Sequence, residues 1–103
     1  MTIENSDGPA KMIRGNLAEL APDPEDARQL TELAEDLERC TTASGARALA
    51  NAAAQIIARS AANNACQSAC WDAYQRCVAS CIDTSCINRC FGRYVVCVLG
   101  CRR

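Results

Sequence analysis

Residues 66 to 81 read CQSACWDAYQRCVASC, and residues 86 to 101 read CINRCFGRYVVCVLGC. In both, the four cysteines are separated by three, six and three residues. The two units repeat at a period of 20, and the match runs past the cysteines. Trp71 aligns with Phe91, Tyr74 with Tyr94, and Val78 with Val98.

On a helix turning about 100° per residue, Cys66, Cys70, Cys77 and Cys81 project at roughly 0°, 40°, 20° and 60°. All four thiols therefore fall in one narrow stripe, and Cys86, Cys90, Cys97 and Cys101 do the same. A strand would scatter these offsets over both faces. The aromatic and valine positions lie beside the stripe, at roughly 80° to 140°, and form a second, apolar face.

The connection IDTS (82–85) is short, so the two helices are expected as antiparallel neighbours, with Asp83 or Thr84 capping the second. The spacing then places Cys81 opposite Cys86, Cys77 opposite Cys90, Cys70 opposite Cys97 and Cys66 opposite Cys101. Of the many connectivities open to eight cysteines, this nested one keeps two regular helices in register. The seam is mostly cysteine and small residues, so the axes can approach to about 8 Å, within reach of disulfide Cα separations of roughly 5–6 Å. Each bridge alone would contribute about 2–4 kcal/mol, less when nested, because an inner bridge already shortens the outer loop.

Other chemistries use the same stripe. Cys66, Cys70, Cys97 and Cys101 make one four-sulfur group, and Cys77, Cys81, Cys86 and Cys90 another. Four thiolates suit tetrahedral zinc, and a continuous thiol stripe suits copper(I). Enzymatic thioether cross-links are a third possibility. The disulfide ladder, without a cofactor, is the reading the residues favour. The metal alternative lacks the short Cys-x2-Cys knuckle and has bulky rings beside each motif.

The hairpin resembles cysteine-stapled helical hairpins with paired Cys-x3-Cys motifs, among them the plant antimicrobial hairpin peptides and the small chaperones of the mitochondrial intermembrane space. In those families two such motifs face each other through two nested disulfides. Here the motif occurs four times, at 66/70, 77/81, 86/90 and 97/101. The resemblance implies a non-enzymatic hairpin directed at a membrane or a protein. In principle the thiol stripe is also similar to bacterial copper-storage helix bundles, which carry Cys-x3-Cys on helices.

Outward from the repeat, the composition changes. Residues 1–65 hold ten acidic and six basic side chains, a net of −4, while residues 66–103 hold Asp72 and Asp83 against five arginines, a net of +3. At 103 residues with four aromatic side chains, a thick conventional core is not expected, and staples would help. The front region reads as an acidic helical leader or carrier. Its helices are expected at about residues 10–20, 24–39 and 46–62, after a polar, frayed start at residues 1–8. Pro9 can open the first. Asp23, Pro24, Glu25 and Asp26 supply the cap, first position and first turn of the second. TTASG (41–45) reads as a turn with Ser44 as a possible cap, and Asn63-Asn64 as a joint. The only strand-like run is the short YVVCV, whose cysteine spacing argues for helix. The fold expected is all-α, with short N-terminal helices followed by the stapled hairpin.

The expected interaction face comprises Trp71, Tyr74, Phe91 and Tyr94 with Arg76, Arg89 and Arg93. Packing is the simpler use of the aromatic rings, and a solvated face that of the arginines. Cys40 stands outside the repeat and is expected unpaired, as a small buried residue ending the second helix. The chain has no histidine, which excludes mixed Cys/His metal sites and imidazole catalysis. No Ser/His/Asp constellation, phosphate-cradling glycine loop or carboxylate pair emerges, so an enzyme is not expected. The acidic pI of about 5.3 speaks against nucleic-acid partners.

Three classes of function follow. The first is a precursor of a cationic hairpin peptide, antimicrobial or toxin-like, with an anionic membrane or a receptor as target and a leader read by processing or export machinery. The second is a copper(I) or zinc thiolate protein of the cytoplasm. The third is a chaperone-like interaction module of an oxidising compartment. The start MTIENSDGPAKMIRGN lacks the pattern of a secretory signal, so a peptide product made in the cytoplasm is expected to leave by a non-classical route.

Overall fold

The computed structural model describes residues 7–60 and 65–102. Of the start expected to be frayed at residues 1–8, residues 1–6 lie outside them, as does the Asn63-Asn64 joint; Asp7 and Gly8 are helical, so the first helix opens ahead of Pro9. The described chain is all helical: α1 (Asp7–Gly15), α2 (Leu17–Leu20), α3 (Pro24–Arg39), α4 (Ala43–Ser60), α5 (Ala65–Ala79) and α6 (Thr84–Arg102). No strand occurs among the described residues. The all-α fold ending in a hairpin with a four-rung disulfide ladder is present as expected.

α3 starts and stops where its sequence signals stand. Asp23 is extended at φ −74°, ψ 128°, Pro24 opens the helix, and Glu25 and Asp26 occupy the first turn. The Asp23 side chain makes no capping bond; its carbonyl accepts from Ala27 N at 2.9 Å. Leu30, Ala34 and Leu37 recur at helical spacing and are all buried. Asp26 is turned inward and pairs with Arg59 of α4 at 2.7 Å.

Two further local features differ from the sequence expectation. The helix expected at about 10–20 is two helices, broken at Asn16. Gly15 and Asn16 are weak helix formers, and the Asn16 amide donates back to the Met12 carbonyl at 3.0 Å, competing with the backbone ladder. α4 begins at Ala43, so Ser44 lies inside it. The cap is Thr42, whose Oγ1 accepts from Gly45 N at 3.0 Å. Gly45 is needed there, because a Cβ would meet Thr42 Oγ1 at 2.8 Å and Cys40 Sγ at 2.9 Å.

α4 is the element that joins the two halves. Ala46, Ala50, Ala53 and Ala54 give it a smooth stripe with almost no exposure, and Ile57 continues it. Small side chains bring helix backbones close together. α4 packs on both α5 and α6; α1 and α2 pack on α6, and α3 lies behind α1 and α4. One hydrophobic core runs through all of this, from Ile13, Leu20, Leu30 and Leu37 to Tyr74, Phe91, Val95 and Val98.

Candidate functional site

The hairpin is built from the turn outward. Cys81 N donates to the Val78 carbonyl at 3.1 Å, closing α5. Asp83 caps α6, its Oδ1 accepting from Cys86 N at 2.8 Å. Of the two caps open to the sequence, aspartate is the one used. Ile82 is left 88% exposed at the tip.

Four disulfides join the helices: Cys66–Cys101, Cys70–Cys97, Cys77–Cys90 and Cys81–Cys86. Their Cα separations of 5.8, 5.8, 5.7 and 5.5 Å hold the axes parallel along the whole seam. The rungs are not evenly spaced. Cysteines four apart bring neighbouring rungs into contact: Cys70 Sγ lies 3.6 Å from Cys101 Sγ, and Cys81 Sγ lies 3.5 Å from Cys90 Sγ. The eight sulfurs thus form two groups of four, one toward the open end and one toward the turn. The six residues between the groups leave a cavity of about 270 Å³. Tyr74 and Tyr94 line it together with Cys70, Cys77, Cys90 and Cys97, and Arg93 adds a cation.

The residues expected to form one interaction face are divided by the structure. Tyr74, Phe91 and Tyr94 are buried and Trp71 half-buried, so the rings lie inside the protein. They form one cluster: Tyr74 to Tyr94 is 5.3 Å between ring centres, Trp71 to Tyr94 is 6.0 Å edge-on, and Tyr74 to Phe91 is 6.4 Å edge-on. Against α4, the Tyr74 hydroxyl donates to Asn51 Oδ1 at 2.7 Å and the Tyr94 hydroxyl to the Ala54 carbonyl at 3.4 Å. Burial pushes both phenols up, Tyr94 to about 12. Arg76, Arg89 and Arg93 are exposed. Val96, 61% exposed, lies beside Arg89 and Arg93 in an open apolar groove that also touches Met12 of α1.

Two arginines tie the front helices to the hairpin: Arg47, which the sequence reading passed over, and Arg102, expected among the five arginines of the cationic half to face a membrane or partner. Arg47 of α4 donates to the carbonyls of Val78, at 2.6 Å, and Cys81, at the end of α5, where the Val78 carbonyl also accepts from Cys81 N. Arg102 of α6 donates to the Glu19 carbonyl and, at 3.4 Å, to that of Ile57. Burial pulls its pKa below the usual arginine range. The available signal was Arg47 itself, a cation one turn into an otherwise alanine-rich helix.

Cys40 is the one free cysteine among the described residues. It follows α3 as its C-terminal cap, half-buried, with its thiol donating to the Thr42 carbonyl at 3.3 Å. Three sulfurs at each end of the ladder, those of Cys66, Cys70 and Cys101 and of Cys81, Cys86 and Cys90, lie within 4.8 Å of one another. No helix among the described residues is long and apolar enough to cross a membrane. No protein-family model matches the chain, and no curated protein or solved structure shows significant similarity to it.

Proposed function

We propose that this chain is a non-enzymatic precursor of a cationic helical-hairpin peptide directed at an anionic membrane or a membrane receptor. In this reading residues 66–103 are the active part, and the helices before them are a carrier that keeps its apolar face covered.

The observation that carries the reading is the asymmetry of the ties. All four covalent links lie within the hairpin. The front helices hold it by packing and by hydrogen bonds from Arg47, Tyr74, Tyr94 and Arg102. Once separated, the stapled hairpin carries Tyr74, Phe91, Tyr94, Val95 and Val98 on one face and Arg76, Arg89 and Arg93 elsewhere. A helical surface of that kind adsorbs to anionic lipid through apolar burial plus charge attraction. The resemblance to stapled plant hairpins points the same way.

The test replaces residues 61–64 by a site-specific protease sequence and compares uncut and cut protein. The cut, oxidised hairpin should separate from the front helices and release dye from phosphatidylglycerol vesicles; the uncut chain should not. A hairpin that stays docked and silent after cutting, or an uncut chain of equal activity, would refute the carrier role. Intact-mass analysis of protein from the native source should find a product beginning near Ala65.

A further inference from the structure

We propose that the eight ladder cysteines have a second state: when reduced, they hold two zinc-class divalent ions, one in each four-sulfur group. The inference is independent of the peptide reading, since it concerns the chain before or without oxidation.

The geometry comes from the contacts between rungs. Zinc–sulfur bonds of about 2.3 Å set the edges of a tetrathiolate tetrahedron at about 3.8 Å. Two edges of this length are already in place across rungs, the 3.6 Å from Cys70 Sγ to Cys101 Sγ and the 3.5 Å from Cys81 Sγ to Cys90 Sγ. The remaining ligands of each group, Cys66 and Cys97 in one and Cys77 and Cys86 in the other, are bonded to these four across the seam. Side-chain rotation after reduction would open each bridged pair to the tetrahedral edge. The backbone supplies two ligands per helix, four residues apart, on helices already at Cα separations of 5.5–5.8 Å.

At each group a helix N-terminus meets a helix C-terminus: Cys66 in the first turn of α5 stands opposite Cys101 in the last turn of α6, and Cys86 in the first turn of α6 lies beside the end of α5. A helix N-terminus carries partial positive charge and lowers thiol pKa. Arg93 lines the cavity with Cys70, Cys77, Cys90 and Cys97 and sets one cation between the two groups. Cys70, Cys81 and Cys90 are nearly inaccessible, whereas Cys66 and Cys97 are exposed, so the group toward the turn is the better shielded from water.

The chemistry balances. Each rung takes two electrons and two protons from a dithiol reductant, which leaves as its own disulfide. Two rungs yield four thiols, and the incoming ion displaces their four protons. Zinc is favoured over copper(I) because three sulfurs of each group already lie within 4.8 Å of one another, Cys97 or Cys77 is the fourth, and the cavity of about 270 Å³ separates the two groups.

The test uses the full chain, reduced with a phosphine under anaerobic conditions, freed of reductant and titrated with zinc(II) or cobalt(II). The expected uptake is two ions per chain, with the visible bands of tetrahedral cobalt and thiolate charge transfer. Helical circular dichroism, lower in the reduced metal-free chain, should recover on titration. The double variant Cys70→Ser with Cys97→Ser should bind one ion, as should Cys77→Ser with Cys90→Ser, and Cys40→Ser should still bind two. Octahedral cobalt, uptake without recovery of helix, loss of both ions from one double variant, or loss of an ion in Cys40→Ser would each overturn the proposal.

Discussion

Phe91 is fully buried and meets Tyr74 edge-on at 6.4 Å, where the hairpin's apolar face joins the shared core. Truncation to alanine removes roughly 130 Å² from burial, about 3 kcal/mol at ~25 cal/mol/Å². The cavity left beside α4's alanine stripe, which has no longer side chain to fill it, brings the total to about 3–5 kcal/mol. Four bridges hold α5 to α6 whatever happens at Phe91, so the loss falls on the docking of α1–α4. Phe91→Ala should therefore split unfolding into two stages. Trp71, the only tryptophan, packs edge-on to Tyr94 at 6.0 Å and reports the aromatic cluster. In urea, at a slope of roughly 1–2 kcal/mol/M, its fluorescence transition should fall by about 2–3 M. Helical circular dichroism from the oxidised hairpin should persist beyond that point. Phe91→Leu, which keeps most of the volume, should cost only about 1 kcal/mol. A Trp71 shift below about 0.5 M for the alanine variant, or simultaneous melting of hairpin and front helices, would refute this division of the structure.

The outermost bridge, Cys66–Cys101, spans 35 residues, which taken alone would mean about 4 kcal/mol. With Cys70–Cys97 intact it closes only the short segments beyond that rung, so the double serine variant should lose about 3 kcal/mol in a denaturant melt. Gly45→Ala, with neighbours at 2.8 and 2.9 Å, should destabilise by about 1–3 kcal/mol, whereas Gly100→Ala, with nothing within 4 Å, should raise the thermal midpoint. The Tyr94 phenol, ordinarily at 10.0, is raised to about 12 in the folded chain. Above pH 10 the unfolded state releases this proton while the folded state keeps it, so stability should be level below pH 10 and decline between 10 and 12. Tyr94→Phe should flatten part of that decline in melts taken across the alkaline range, and tyrosinate absorbance should locate the folded titration.

The hairpin was legible in the sequence because rigid geometry links cysteine spacing to direction. On a helix, intervals of three, six and three residues leave one stripe, and the turn length leaves one register. α3 was legible for a similar reason: Asp23 and Pro24 mark its start and Leu30, Ala34 and Leu37 mark its buried face. The break at Asn16 and the cap at Thr42 were harder. Gly15-Asn16 and Ser44 are compatible with either outcome, and the side-chain bonds that decide between them depend on the folded backbone. That the rings would pack on the front helices or on a partner was readable from their regular spacing; which helix covers them was hardest. The alanines of α4 read as helix propensity, and nothing in alanine says which partner it meets. The arginines were visible as charge, but their separation into exposed Arg76, Arg89 and Arg93 and engaged Arg47 and Arg102 follows only from docking.

The hairpin separates two functions along one pair of helices. Its cysteine stripe links α5 to α6 covalently at four places, and its aromatic face gives it something to cover. In an ordinary small domain the same core residues both determine the shape and occupy the interior. Here the ladder removes the need for Tyr74, Phe91 and Tyr94 to hold α5 and α6 together, yet all three rings are buried and the two tyrosine hydroxyls bond to α4. A face retained beyond what the hairpin needs for its own stability is available for a second contact. The tyrosine hydroxyls find their acceptors in Asn51 and Ala54 of α4; under the proposed release, a lipid headgroup or a receptor carbonyl would have to replace them. On this argument Tyr74→Phe and Tyr94→Phe would weaken both the carrier contact and the later target contact, while leaving the four bridges intact.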